Sequence, residues 1–274
     1  MVNQTTGRLE GKVAFVTGAA RGQGRAHAVR LAAEGADVIA VDICGGFSSV
    51  KMKPATPEDL ATTVGLVEEQ GRRIVARQAD VRDFDRLQEV VDEGASQFGR
   101  LDIVVGNAGV LNCSWSWEMT TEQWQEVIDV NLTGIFNTCK SAIPTMIRGG
   151  NGGSIILTSS VAGLYGQPFT ASYTAAKHGV VGLARCLANE LSEHNIRVNT
   201  IHPTGVRTEM YEEPELFPLI QTRAETLGPV FMNSLPTEVM EPEDVAAVVA
   251  FLASDDAKHI TGDQVRIDCG KLNR

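Results

Sequence analysis

Tyr173 and Lys177 stand four residues apart in the helical stretch Ser172 to Leu191, so a phenol and an ammonium share one helix face. Such a pair could exchange a proton with a substrate oxygen, although a tyrosine with its ordinary pKa of about 10 needs help near neutrality. With three tyrosines in the chain and seven lysines, chance alone produces this spacing in roughly 8% of such chains, so the pair by itself means little. Context sharpens it. Ser160 ends a strand-like run 13 residues earlier, at the carboxyl edge where a parallel sheet receives its substrate, and Asn131 lies within the preceding long helical stretch.

A second set of residues could hold phosphate. The first apolar run, Val13 to Thr17, leads into Gly18-Ala-Ala-Arg21-Gly22-Gln23-Gly24, and a helix follows. Glycines at this spacing permit a tight turn, close approach of backbone to a pyrophosphate, and close packing of helix on strand. The helix N-terminus adds free N–H groups and a positive dipole end. At the first strand-to-helix junction this reads as a dinucleotide site rather than a bare turn. Asp42, 18 residues past Gly24 and followed by Ile43, can accept hydrogen bonds from ribose hydroxyls and would repel a 2′-phosphate, which favours NAD over NADP. Arg21 is the competing signal for NADP; an exposed arginine that solvates the loop is the preferred reading. Asp80-Val81 is placed to meet the adenine edge, with helix capping by a nearby Asp as the alternative. Asn107-Ala108-Gly109 puts small residues where the cofactor crosses the sheet edge.

The elements that would position these groups follow from the pattern of apolar residues. Short runs at Val13–Thr17, Asp37–Asp42, Ile74–Ala76, Leu101–Gly106, Ser154–Thr158, Ile196–Ile201 and Gln264–Ile267 read as strands. Helical patterns alternate with them, from Gly24 to Gly35, from Thr56-Pro57-Glu58-Asp59 onward, from about Asp83 to Phe98, around Thr121 to Ile147, and near Pro242 to Ala253. Continuous rather than alternating apolar runs suit strands covered on both faces. The expectation is α/β: one doubly wound Rossmann-type domain over residues 1–274, with about seven parallel strands in three layers. Residues 204–241 break the rhythm and read as a substrate lid.

Composition narrows the class. Twenty-seven glycines, 43% hydrophobic and 21% charged residues describe a globular chain. A net charge of −10 without a basic patch argues against nucleic acid and anionic membranes. No apolar run is long enough to span a bilayer, and the polar start, Met1 to Glu10, lacks the core of a signal peptide. Five scattered cysteines read as reduced thiols of a cytoplasmic protein. The five histidines have no metal-ligand spacing, so no metal is expected.

Taken together, Thr17-Gly-x3-Gly-x-Gly24, Asp80, Asn107-Ala-Gly109, Asn131, Ser160 and Tyr173-x3-Lys177 make the chain resemble the short-chain dehydrogenase/reductase family over essentially its whole length. Thr17 to Cys44, the insertion after Cys44, His202-Pro203-Thr204-Gly205 and Ile267-Asp-Cys-Gly270 resemble its mycofactocin-associated, carveol-dehydrogenase-like branch. The resemblance implies that Tyr173 is the acid/base, that Lys177 favours the phenolate and holds the nicotinamide ribose, and that Ser160 orients the reacting oxygen. It also implies that Asn131 holds a proton-relaying water and that Pro203, Gly205, Val206 and Thr208 meet the nicotinamide. A hydride would pass between NAD(H) and a secondary alcohol or ketone in a homotetramer. Two departures stand out: Gly106 where many relatives have Asn, and Pro203-Thr204-Gly205 where Pro-Gly is usual.

The remaining signals are weaker. Trp115 and Trp117 could wall an apolar pocket or pack a loop. The lid reads as an amphipathic helix whose acids, Glu209, Glu212, Glu213 and Glu215, face water, and whose apolar side suggests a hydrophobic, terpenoid-like cyclic alcohol or ketone. Cys113 and Cys269 read as packing residues. The insertion from Cys44 to Pro57 is expected to fold over the cofactor and slow its escape, in line with a branch thought to pass electrons to mycofactocin from a retained nicotinamide. The alternatives are an NADP-dependent 3-oxoacyl-type ketoreductase and a dinucleotide sensor without turnover.

Overall fold

In the computed structural model residues 7–273 are described, so most of the polar start lies outside the described residues. Among them seven strands form one parallel sheet: β1 (Val13–Thr17), β2 (Asp37–Asp42), β3 (Ile74–Gln78), β4 (Ile103–Gly106), β5 (Gly153–Thr158), β6 (Ile196–Pro203) and β7 (Gln264–Ile267). Their order is β3-β2-β1-β4-β5-β6-β7, with β1 beside both β2 and β4. The order reverses between β1 and β4, and the crevice at their carboxyl ends is where such a sheet takes a ligand.

Alternate residues of each strand feed opposite faces. Phe15, Ile39, Val104 and Ile155 enter one core with Leu87 and Ile135. Ala14, Val16, Val38 and Ile156 enter the other with Leu31 and Val249. Helices α1 (Gly22–Ala33), α2 (Pro57–Glu69) and α3 (Phe84–Phe98) follow the first three strands. Helix α2 opens on a reciprocal cap between Thr56 and Asp59, and Asp83 caps α3 by accepting the Arg86 N–H at 3.0 Å.

The long helical pattern around Thr121 to Ile147 is divided. Helix α4 (Thr121–Ile128) passes through a π turn, Asp129–Thr133, into α5 (Gly134–Gly149). Apolar periodicity cannot register one extra residue in a turn, and that residue count re-aims Asn131. After β5, α6 (Ala171–Glu190) carries Tyr173 and Lys177. The segment read as the lid holds not one helix but two short ones, α7 (Leu216–Gln221) and α8 (Ala224–Leu227), and a 3-10 turn at Gly228–Phe231. Helix α9 (Pro242–Ala253) then packs beside α1.

Candidate active site

Two contiguous cavities open at the carboxyl edge of the sheet. The first, about 170 Å³, runs past the phosphate loop, Asp42, Ile43, Asp80 and Val81 to Asn107, Ala108 and Gly109. The second, about 280 Å³, is lined by Ser160, Tyr173, Lys177, Pro203, Gly205 and Val206, under the lid. Gln23, Asn107, Gly109 and Thr208 border both. Every residue expected at the site lines one cavity or the other, except Asn131.

The first cavity fits a dinucleotide by shape and by polarity. A Cβ on Gly24 would lie 1.9 Å from the Gly18 carbonyl oxygen, and one on Gly18, at φ +67°, would lie 2.9 Å from the Ala108 Cα. No side chain is tolerated there, so the backbone itself forms the cradle. Gln23 Oε1 is buried beside it without a partner. Asp42 is 7% exposed and holds the loop by accepting the Ala20 N–H at 3.0 Å and the Cys44 N–H at 2.9 Å. Asp42 also lines the cavity. Asp80 takes the Arg82 N–H at 2.9 Å and the guanidinium at 2.6 Å; the helix cap belongs to Asp83.

Arg21 departs from the expectation of a solvated side chain. Its guanidinium donates to the carbonyls of Lys53 and Pro54 and lies 3.7 Å from Glu209, so it joins the loop to the insertion and to the lid.

In the second cavity, Lys177 Nζ donates to the Thr158 carbonyl at 2.7 Å, and Ser160 lies beside the Tyr173 hydroxyl. Burial pushes Tyr173 up to about 12, partly offset by Ser160, and pushes Lys177 down to about 7. Both shifts penalise charge. Phenol with amine and phenolate with ammonium are, however, both neutral pairs, so a proton can move within the pair without changing the buried charge. Asn131 sits one layer back. Its Oδ1 accepts the Val110 N–H and its Nδ2 donates to the Val110 carbonyl, each at 2.8 Å, which pins the strand-to-helix loop after Gly109. Gly106 has a packing reason: a Cβ there would meet Leu157 at 2.9 Å.

Comparison with known proteins follows this geometry. The sequence pattern of the family described as short chain dehydrogenase matches residues 12–216. The chain belongs to the short-chain dehydrogenase/reductase family. It is 44% identical to a (-)-trans-carveol dehydrogenase of Rhodococcus erythropolis, over 96% of this chain and 98% of the relative. Two solved structures superpose closely. Carveol dehydrogenase from Mycobacterium avium in complex with NAD has a TM-score of 0.93 at 48% identity, covering 98% of this chain and 100% of that one. A short chain dehydrogenase from Mycobacterium paratuberculosis bound to NAD has a TM-score of 0.94 at 52% identity, with the same coverage. A 3-oxoacyl-[acyl-carrier-protein] reductase of Thermotoga maritima is more distant, at 38% identity over 96% of this chain and 98% of its own.

In this short-chain dehydrogenase/reductase two segments cover the crevice. Residues 45–54 wall the first cavity with Phe47, Val50 and Met52. Ser48 and Ser49 fasten that segment to Glu122 and Glu126, and Lys51 pairs with Glu215 of the lid. The lid departs from the expectation that its acids face water. Glu213 is 1% exposed, with Oε2 accepting the N–H groups of Glu215 at 2.8 Å and Leu216 at 3.0 Å, so it caps the start of α7; burial raises its pKa. Of the two tryptophans, neither lines the substrate cavity. Trp115 stacks on Trp117 at 4.7 Å and meets Phe169, which stacks in turn on Phe231 of the cavity wall.

One positioning residue escaped the sequence reading of this short-chain dehydrogenase/reductase. His202 is buried beneath Ser160, held neutral with its pKa pushed down to about 4 by burial. A histidine near the end of a strand, one residue before Pro203, was the available signal.

Proposed function

We propose that the protein oxidises a secondary alcohol to a ketone, or runs the reverse, with NAD(H), on an apolar, cyclic, terpenoid-like substrate. The observation that carries this reading is the junction of the two cavities. A dinucleotide lying along the first would present one end to a substrate held in the second beside Ser160, Tyr173 and Lys177. Asp42 on the first cavity favours a free 2′-hydroxyl. Arg21, tied to the insertion and lid, is not free to meet a 2′-phosphate, which counts against the NADP-dependent alternative.

When bound, NAD supplies the hydride acceptor and a positive ring. The phosphate loop and Asp42 would hold it, with Asn107 to Gly109, Pro203, Gly205, Val206 and Thr208 along its nicotinamide half. Ser160 orients the substrate oxygen, and Tyr173 takes the hydroxyl proton during oxidation. Lys177 stabilises the phenolate, and Asn131 keeps the loop after Gly109 in register.

The clamps on residues 45–54 support a cofactor retained through turnover, with mycofactocin as the electron acceptor that the resemblance names. Exposed Trp124 and Phe136, on α4 and α5, support a homotetramer built on these helices, and five unpaired cysteines suit the cytoplasm. Protein purified without added nucleotide, dialysed and then denatured, is expected to release near-stoichiometric NAD(H). Deleting residues 45–54 is expected to abolish that retention; unchanged retention would remove the insertion from the account. Dye-linked oxidation of carveol by wild type, lost in Tyr173→Phe, tests the reaction itself.

A further inference from the structure

The substrate cavity has a second polar end. Lys271, in the C-terminal 3-10 turn Lys271–Asn273, lines the same cavity as Ser160 and Tyr173 and also borders a neighbouring cavity with Arg266 and Asp263. Its ammonium lies between two aromatic faces, 5.7 Å from the centroid of Tyr165 and 5.5 Å from that of Phe231. Its hydrogen bond is a long one, 3.4 Å, to the Phe231 carbonyl. An ammonium carries three donors, so most of its capacity is unused by the chain.

No carboxylate among the described residues pairs with it. Asp268, the nearest acid, spends Oδ1 on the Gly270 N–H and Oδ2 on the Leu272 N–H, each at 3.0 Å. Burial accordingly pushes the Lys271 pKa down to about 8. Glu238, also on the cavity, is engaged by Tyr211. A desolvated cation without a counter-charge costs stability, and aromatic faces compensate only in part. An acceptor delivered by a ligand would complete it.

We propose that Lys271 is the distal anchor of the substrate, binding an acceptor oxygen, a carbonyl or a carboxylate, across the apolar body from the reacting carbinol. This rests on the reading of the cavity as the substrate site and narrows the substrate class to alcohols with a second oxygen function. The aromatic and aliphatic wall of Phe231, Leu216 and Ile220 takes the body between the two polar ends.

The test uses full-length protein loaded with NADH, which cannot oxidise an alcohol, and reads binding by nicotinamide fluorescence. The probes are 4-hydroxycyclohexanecarboxylate, its methyl ester, whose carbonyl NADH does not reduce, and 4-methylcyclohexanol. Wild type is expected to bind at least one of the two acceptor-bearing probes tenfold or more tighter than 4-methylcyclohexanol. Lys271→Met is expected to erase that preference. Lys271→Gln keeps a donor without the charge: loss of the acid alone identifies a carboxylate, and a retained ester preference identifies a carbonyl. Equal affinities in wild type, absent binding of all three, or a preference that survives Lys271→Met would overturn the proposal. Dye-linked turnover of any of the three alcohols tests the oxidoreductase reading separately. Turnover without acceptor preference defeats only the anchor; acceptor preference without turnover defeats only the reaction.

Discussion

His202 holds Ser160 from below: its Nδ1 donates to the Ser160 carbonyl at 2.6 Å while its Nε2 accepts the Thr200 hydroxyl at 2.8 Å. A carbonyl can only accept, so this contact sets the tautomer, and burial keeps the ring neutral. The Thr200 N–H in turn bonds the Asp263 carbonyl at 3.0 Å. A chain of hydrogen bonds thus runs from the edge of β7 through β6 to the serine beside Tyr173. Replacing His202 by Leu removes two hydrogen bonds, one of the two donors to the Ser160 carbonyl (the Gly163 N–H at 2.9 Å remains) and the acceptor of the Thr200 hydroxyl, at a cost of about 1–3 kcal/mol. The expected result is a kcat lowered roughly tenfold to a hundredfold, since each 1.4 kcal/mol is about a factor of ten, with NAD affinity little changed. His202→Gln, which can still donate, should recover most of the loss; steady-state kinetics on both variants check this.

Removal of the phenol hydroxyl is expected to be the most damaging single change. Tyr173→Phe should lower kcat by about 10²- to 10⁴-fold, the usual contribution of a positioned acid/base. NAD should still bind, because the cradle around Gly18 and Gly24 is untouched. Calorimetric titration with NAD alongside turnover distinguishes a chemical defect from a folding one.

The neutral Tyr173–Lys177 pair predicts a pH signature. Oxidation needs the phenolate, so the rate should rise with pH. Burial holds Tyr173 at about 12 with Ser160 offsetting part of the shift, and a lysine ammonium beside the phenolate should bring the limb down further. In Lys177→Met that help is gone, and the limb should move up by at least one pH unit. A pH–rate profile that does not move would show that Lys177 acts only in binding.

Arg21 ties three segments together, so its loss should act on cofactor release rather than chemistry. Arg21→Ala is expected to speed NAD release at least tenfold, read by stopped-flow fluorescence, while chemistry in a single turnover stays near wild type.

Acid should destabilise the protein through buried imidazoles. His27 is fully buried on α1 beside Asn107, without a partner of good geometry, and burial pushes its pKa from 6.5 to about 3. Between these values the unfolded chain binds a proton that the folded chain does not, so stability falls as pH drops from 6.5 toward 3. The slope is at most about 1.4 kcal/mol per pH unit for one group. His27→Leu should flatten that slope; urea titrations at pH 7 and pH 5 measure it.

Much of the site was legible because its signals are local. The cap at Thr56, the strand ending in Asp42 and the four-residue spacing of Tyr173 and Lys177 each depend on neighbours in sequence. The π turn at Asp129–Thr133 was not legible, because one extra residue in a turn barely disturbs apolar periodicity. Nor was the burial of Glu213. A charge pattern reads as solvent-facing until its partners, here the N–H groups of Glu215 and Leu216 packed near Cys113, are known.

By itself, then, the sequence determined the α/β class, a doubly wound parallel sheet of about seven strands, and the identity of the chemical groups at its carboxyl edge. Alternation of apolar runs and short-range spacing are sufficient for that. Tertiary structure alone decided that Arg21 bridges loop, insertion and lid, that His202 lies under Ser160, and that Lys271 reaches the substrate cavity from the far end of the chain. Each of these is a contact between segments distant in sequence, and burial and hydrogen-bond partners exist only once the sheet has brought those segments together.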